Sequence, residues 1–431
     1  MTAQPAIARP LPGTVAVNVP VVLAFTILAA LIFEPLLGTA AAAGFLGAGV
    51  VVAVLPLRLT IAAMSRWWFL LVLPAYCLLS TLWSQFPFGT FRYALQLGAT
   101  VTIAIVIASR ISLSSLLRAL FFALLAGTLV SLAVGRVSPS GAWLGMFASK
   151  NGFAAHLALQ VLASLAVLLD GSESARLRLL ALVGVASALP LMILAQSAGV
   201  LVAVGPCVLA MLMATMVRYY TGPQRLFFVG LVLVTAVGVI LTVALAGDVL
   251  MEQLLESTGK DVTLTGRTDL WETGLGLVSE HPVLGVGYRA FWVQGYDPAE
   301  RLWAMFHVPS GAGFSFHNTY ISNAVEIGLV GVGMQVIYLY APLALLLWLA
   351  LLKPNAQGTF LMGAQLLLII RSFIEVEVFF EFSLRTVLAV CTAVYAMNLL
   401  DPSRRTYGDK TLKLRPASLA SATTSIERYR R

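Results

Sequence analysis

Residues 198–217 read Ala198-Gly199-Val200-Leu201-Val202-Ala203-Val204-Gly205-Pro206-Cys207-Val208-Leu209-Ala210-Met211-Leu212-Met213-Ala214-Thr215-Met216-Val217, a run without a single charge. About 20 such residues in helical form cross the hydrocarbon of a bilayer. The helix is required because each unpaired backbone group in hydrocarbon costs several kcal/mol. Similar blocks recur along the 431 residues, of which 59% are hydrophobic and 11% charged. A water-facing domain carries roughly a quarter charged residues, so this chain has less than half the charge that a soluble surface needs. The composition predicts an all-α polytopic membrane protein.

Hydropathy predicts about twelve transmembrane helices, near 17–34, 39–57, 67–83, 91–109, 115–134, 153–169, 177–196, 198–217, 226–246, 318–351, 359–374 and 384–400. No small-residue cleavage site follows the first apolar run, so it reads as an uncleaved anchor. With the N-terminus inside, the inner loops hold nine Lys or Arg, among them Arg58, Arg118, Arg178 and Lys353. The outer ends hold five: Arg92, Arg136, Lys150, Arg371 and Arg385. This positive-inside bias and the basic tail beyond Leu400 agree on an even number of spans with both termini cytoplasmic. The formal charge of +8 is then mostly topological, with anionic membrane lipid as its counterpart and no nucleic acid partner. Cys77, Cys207 and Cys391 lie inside apolar spans without metal-ligand spacing and read as small buried hydrophobes.

One long polar segment interrupts the pattern between about Gly247 and His317, on the outer side. Loops much beyond about 15 residues carry function or are disordered. The run Thr265-Gly266-Arg267-Thr268-Asp269-Leu270-Trp271-Glu272 predicts an ordered loop helix that stops at His281-Pro282. Gly285-Val286-Gly287-Tyr288 follows; with no strand–turn–helix unit around it, it is not a dinucleotide fingerprint. The aromatics Phe291, Trp292, Tyr296, Trp303 and Phe306 fit an interfacial belt better than a sugar-stacking surface. Nine acids against four bases make the loop as a whole repel anions, so phosphate chemistry there needs a local group of cations.

Arg267 reads either as a helix-surface arginine paired to Asp269 or Glu272, or as a planar fork for phosphate oxygens. His317-Asn318 stands at the entrance to a span, where free N–H groups and the helix dipole favour an anion. Asn318, Ser322 and Glu326 recur every fourth residue on one face. Glu326 then lies about 12 Å along the axis, a depth at which an ionisable group is usually functional. Lys150-Asn151 sits at the outer end of the sixth span, and Arg371, followed by Glu375 and Glu377, near that of the eleventh. Lys150, Arg267, His317 and Arg371 are therefore available to converge. His156, His281 and His307 have no such company and read as structural. No metal-ligand cluster is visible, and no metal or cofactor is expected.

Taken together, Gly266-Arg267-Thr268-Asp269-Leu270-Trp271, His281-Pro282-Val283-Leu284-Gly285-Val286-Gly287, His317-Asn318-Thr319-Tyr320 and Glu326-Ile327-Gly328-Leu329-Val330-Gly331 resemble the O-antigen ligase and polymerase family of bacterial membrane glycosyltransferases. The resemblance covers about residues 260–335. Phe147-Ala148-Ser149-Lys150-Asn151 is more similar to the exopolysaccharide polymerase branch. The resemblance implies an undecaprenyl-diphosphate-linked oligosaccharide as substrate, an acceptor saccharide, and a chain-length regulator protein as a partner. It implies that Arg267 contacts the diphosphate and that His317 is the catalytic-loop histidine. Many members, ligases especially, carry a Ser-Arg pair before the eighth span, where this chain has Gln196-Ser197-Ala198-Gly199. Lys150 or Arg371 must then supply the second cation, which makes a ligase the less secure reading.

The expected organisation is a transmembrane bundle over 1–246, a periplasmic catalytic loop over 247–317, further transmembrane helices over 318–400 and a basic cytoplasmic tail over 401–431. The expected function is metal-independent polymerisation of the lipid-linked units at the periplasmic face of the bacterial inner membrane. His317, Arg267 and Glu326 are the expected catalytic residues. Lys150, Asn151, Arg371, Asn318, Trp271 and Tyr288 are expected to bind substrate. The alternative within the class is a ligase transferring polymer to lipid A core or protein. A flippase for the lipid-linked saccharide is the rival of another class, disfavoured by the single motif-bearing loop and the lack of an obvious repeat between halves.

Overall fold

The computed structural model describes residues 16–225, 227, 263–352, 355–401 and 412–413. The expected ninth span (apart from Phe227), the loop up to 262, Lys353 and most of the basic tail lie outside these residues. Helices α1 (Val19–Ile32), α2 (Glu34–Leu37), α3 (Thr39–Val54), α4 (Leu57–Arg66), α5 (Val72–Leu79), α6 (Pro87–Arg110) and α7 (Leu113–Val134) come first. They are followed by α8 (Lys150–Leu169), α9 (Ala175–Leu194) and α10 (Ala198–Met216). The polar loop holds α11 (Thr263–Glu280) and α12 (Asp297–Met305), and α13 (Thr319–Leu352), α14 (Ala356–Ser372) and α15 (Leu384–Leu400) close the chain. Strands among the described residues are two short antiparallel ladders, Ala16–Val17 with Leu412–Lys413 and Arg136–Val137 with Trp143–Gly145.

Short polar residues set the helix starts. The side chains of Ser112, Ser149, Ser174 and Asn355 accept from backbone N–H groups at the first turns of α7, α8, α9 and α14, where orphan donors need partners. Six helices, α6 to α10 and α13, are long and apolar enough to cross a membrane, and α3 with α4, bent by 96°, makes a seventh candidate. The helix α1, the segment Trp68–Leu82 and α15 are apolar but shorter. The all-α membrane architecture therefore holds, with fewer full-length crossings among the described residues than the twelve expected.

One expected span is two helices end to end. Thirty-four continuous residues would extend about 51 Å, far beyond a hydrocarbon core of about 30 Å. The break falls at Gly328, with φ 64 and ψ −177. A Cβ at Gly328 would lie 2.2 Å from the Val283 carbonyl oxygen, and one at Gly285 (φ 66) 2.5 Å from the Glu326 carbonyl carbon. Only glycine allows that approach and that backbone region at once. The backbone bonds Gly287 N to Glu326 O (2.8 Å), Val286 N to Val325 O (3.0 Å) and Leu329 N to Pro282 O (2.9 Å) fasten the contact. The two glycine-bearing stretches picked out in the sequence are thus one structural unit that docks the loop onto the break in α13.

Helix α8 is the most enclosed of the six, packed by α7, α9, α10 and α14. The loop has its own small core, in which Leu270, Phe291, Trp303 and Phe316 are almost fully buried. This corrects the expected interfacial belt: Trp292 packs on Phe291, Trp303, Phe314 and Phe316. Ring-on-ring burial removes more apolar area from water than a belt would, and it gives the loop a rigid body that holds α11 against α13.

Candidate functional site

The segment between α14 and α15 runs Phe373-Ile374-Glu375-Val376-Glu377-Val378-Phe379-Phe380-Glu381-Phe382. Its three carboxylates each gather cations or donors from distant parts of the chain, and they differ in what they leave exposed.

Glu375 is the hub of the first group. Its Oε2 lies 3.1 Å from His317 Nδ1 and its Oε1 lies 3.3 Å from Arg267 Nη2. Asn151 Nδ2 donates to the same Oε1 at 2.8 Å, and Ser197 Oγ donates to Asn151 Oδ1 at 2.9 Å. Arg267 Nη1 also donates to the Ile374 carbonyl at 3.0 Å. Burial pushes the Glu375 carboxyl up, but the hydrogen bond and charge of His317 and the charges of Arg267 and Arg371 outweigh this and hold it below its ordinary value. An ionised carboxylate only accepts, so the bond places the imidazole proton on Nδ1. In the neutral imidazole Nε2 then carries a lone pair, and it makes no hydrogen bond with any described residue. The His317 backbone sits at φ 49, a sparsely populated region for a non-glycine residue. Trp271 secures the approach by donating from Nε1 to the Phe316 carbonyl at 2.8 Å. Asn318 caps α13, accepting from the N–H groups of Tyr320 and Ile321, and donates to the Phe373 carbonyl.

Glu377 forms an interior group. Arg371 Nε and Arg385 Nε donate to its two oxygens at 2.8 and 2.7 Å. The side chains of Arg371 and Glu377 are 3% and 2% exposed, against 28%, 33% and 17% for Arg267, His317 and Glu375. Thr319 Oγ1 links the two groups, donating to the Glu375 carbonyl at 2.7 Å and accepting from Glu377 N at 3.0 Å.

Glu381 forms the third group, with Arg289 Nη2 at 3.3 Å and the Tyr288 hydroxyl at 3.3 Å. The Arg289 guanidinium lies over the rings of Tyr93 and Phe380, 5.1 and 5.0 Å from their centroids. Burial pulls its pKa down, yet Glu381 and Glu326 outweigh that and raise it. Burial, with the Glu381 charge, pushes the Tyr288 hydroxyl well above its ordinary value.

Among the expected site residues, the structure brings Asn151, Arg267 and His317 together on Glu375. Lys150 stands next to Asn151, half-buried, and makes no hydrogen bond or ion pair with any described residue. Arg371 does not join as a free cation, because Glu377 holds it inside the protein. Glu326 does not join either. Its carboxylate accepts from the Arg289 backbone N–H at 3.0 Å at the α13 break, so it braces the loop. Tyr288 is 1% exposed and donates to the Phe379 carbonyl, which leaves no edge for a ligand. Trp271 and Asn318 position backbone around His317. Sequence reasoning noted Glu375 and Glu377 only as followers of Arg371 and passed over Glu381 and the pairing of Arg289. The available signal was three glutamates within residues 375–381, in a chain with 19 acids among 431 residues. Among the described residues no group of three or more His, Cys, Asp or Glu is placed to hold a metal ion.

Two comparisons bear on this site. The O-antigen ligase family model matches residues 181–336, a stretch that contains Ser197, Arg267 and His317. The chain is also 29% identical over 326 residues to the exopolysaccharide production protein ExoQ of Rhizobium meliloti (strain 1021), covering 74% of each chain. Both agree with the resemblance carried by the motifs.

Proposed function

From its likeness to the O-antigen ligase and exopolysaccharide polymerase family, we propose that this membrane protein polymerises undecaprenyl-diphosphate-linked oligosaccharide units at the periplasmic face of the inner membrane. The supporting observation is the Arg267–Glu375–His317 group, in which one carboxylate holds a cation and an imidazole side by side, both partly exposed.

No nucleotide is supplied outside the inner membrane, so the sugar arrives already activated as a glycosyl diphosphate lipid. The oxygen of an acceptor hydroxyl bonds to the anomeric carbon as the bond from that carbon to the diphosphate oxygen breaks. The electron pair leaves with undecaprenyl diphosphate, and a single displacement inverts the carbon. His317 Nε2 takes the hydroxyl proton, a task suited to a neutral imidazole whose other nitrogen is held by a carboxylate. Charge develops on the diphosphate, so preorganised cations make the largest contribution. Arg267 is aimed by Ile374 and Glu375 and keeps donors to spare, since a guanidinium has five. Lys150 is the second cation, in place of the arginine that the Ser197 turn lacks. Ser197 instead orients Asn151.

The test is to supply purified lipid-linked repeat unit to proteoliposomes and read products by mass spectrometry. A ladder of lengthening lipid-linked oligomers supports the polymerase. Transfer only when lipid A core is added would make the protein a ligase, and unchanged substrate moved across the bilayer would make it a flippase.

A further inference from the structure

A cavity of about 690 Å³ lies behind the Glu375 group, walled by α1 to α3, the first turns of α8 and the segment 376–385. It shares a wall with the Glu375 group: Gly152 and Val376 line it, and their chain neighbours Asn151 and Glu375 belong to that group. Its size is in the range of about 300–1,000 Å³ usual for small-molecule sites.

The lining differs in kind from the Arg267 side. It presents three carboxylates, of which Glu377 is paired with Arg371 and Arg385 and Glu381 with Arg289, and its one lining guanidinium, Arg385, is thereby already engaged. An anionic diphosphate finds no unpaired cation in this lining. The rings of Phe147, Phe380 and Phe382 line it as well. The exposed Glu34 carboxylate, which can accept from hydroxyls, beside aromatic rings that cover C–H faces suits an uncharged polyhydroxylated ligand.

An independent feature is His156, which lines the cavity and is 5% exposed. Thr128 gives its hydroxyl proton to Gln160, so it can only accept from the imidazole. His156 Nε2 lies 3.0 Å from Thr128 Oγ1 and 3.0 Å from the Leu124 carbonyl oxygen. Both neighbours are acceptors, so Nε2 carries the proton. Nδ1 is then a bare acceptor, and it has no hydrogen bond with any described residue. A hydroxyl of a ligand in the cavity would supply a donor for it.

We propose that this cavity binds the acceptor saccharide, an uncharged hydroxyl-rich segment, while the donor diphosphate binds on the Arg267 side of the Glu375–Glu377 wall. This assignment rests on the transferase reading above. The cavity then holds the acceptor on one side of the Glu375–Glu377 segment and the Arg267 side holds the donor.

The test uses the full chain in lipid nanodiscs and two probes. One is the free oligosaccharide released by mild acid from the host's own lipid-linked precursor; the other is undecaprenyl diphosphate. Ala42→Phe and Thr39→Trp each narrow the cavity from α3 without touching the Glu375 group. Both are expected to weaken oligosaccharide binding about tenfold or more and to leave undecaprenyl diphosphate binding unchanged, with Arg267→Ala giving the reverse. Oligosaccharide binding at the wild-type level in both variants, no oligosaccharide binding by the wild type, or equal loss of both probes would overturn the proposal. Undiminished undecaprenyl diphosphate binding in Arg267→Ala would instead strike the transferase reading, whatever the cavity variants show.

Discussion

His317 and Glu375, 58 residues apart in the chain, form a hydrogen bond of 3.1 Å between Nδ1 and Oε2. The same carboxylate holds Arg267 and Asn151. It fixes the imidazole tautomer and the guanidinium direction together, so Glu375 is a positioning residue for the proposed base and cation. Replacing it with Gln keeps the shape and removes the charge. Glu375→Gln should lower the transfer rate about 10²-fold or more, within the range general-base catalysis contributes. The loss should fall on kcat, with a shifted pH–rate profile, and Glu375→Asp should recover part of it. An unchanged pH profile in the Gln variant would leave Glu375 with a purely structural role.

The same carboxylate gives a stability signature. Its folded-state pKa lies below the ordinary value of 4.5, so the stabilisation is fully present above that value and is lost as pH falls through the folded value. Melting temperatures of wild type and Glu375→Gln, followed from about pH 7 to about pH 3, should differ near neutrality and converge in acid. A gap that stays constant through the acid range would show that the ionised carboxylate stabilises nothing.

Arg371 and Arg267 should fail in different ways. Arg371 is buried with Glu377, and removing one partner of a buried pair typically costs about 3–5 kcal/mol; Arg385, still on Glu377, should bring this toward the lower end. Arg371→Ala should therefore reduce the amount of protein in the membrane, while the protein that remains keeps its activity per molecule. Arg267→Ala should keep its abundance and lose activity. Immunoblots of membranes beside product yield separate the two, and the opposite pattern would reverse the assignment of roles.

The glycine contact between loop and bundle is a further handle. Gly328→Ala would place a Cβ against the Val283 carbonyl at a backbone angle of φ 64. Strain of that type costs about 1–3 kcal/mol before any clash. Limited proteolysis should cut the 281–289 segment faster in this variant than in wild type. Equal cleavage would mean that the loop does not depend on this contact.

Much of the architecture was legible because it rests on local pattern. The uncharged block at 198–217 became α10 at Ala198–Met216, and the loop helix expected to stop at His281-Pro282 ends at Glu280. The break at Gly328 was not legible, since both halves of α13 are apolar and only a glycine with positive φ divides them. Arg371 and Lys150 look alike in sequence, two cations at helix ends expected to face outward. Burial against Glu377 separates them, and burial is a tertiary property. The same holds for Glu375, whose partners Asn151 and Arg267 lie 224 and 108 residues away. Periodicity within a helix carries no trace of such pairings. The aromatic string was visible as composition, but not its preference for packing on itself.

In the proposed mechanism Arg267 stabilises a diphosphate leaving group during glycosyl transfer. The most direct measurement is the initial rate of lipid-linked dimer formation in proteoliposomes holding equal amounts of wild type, Arg267→Lys and Arg267→Ala. A fall of about 10²-fold or more is expected for Ala, with Lys between, because a point charge replaces the fork only in part. Arg267→Ala forming dimer at the wild-type rate would contradict it.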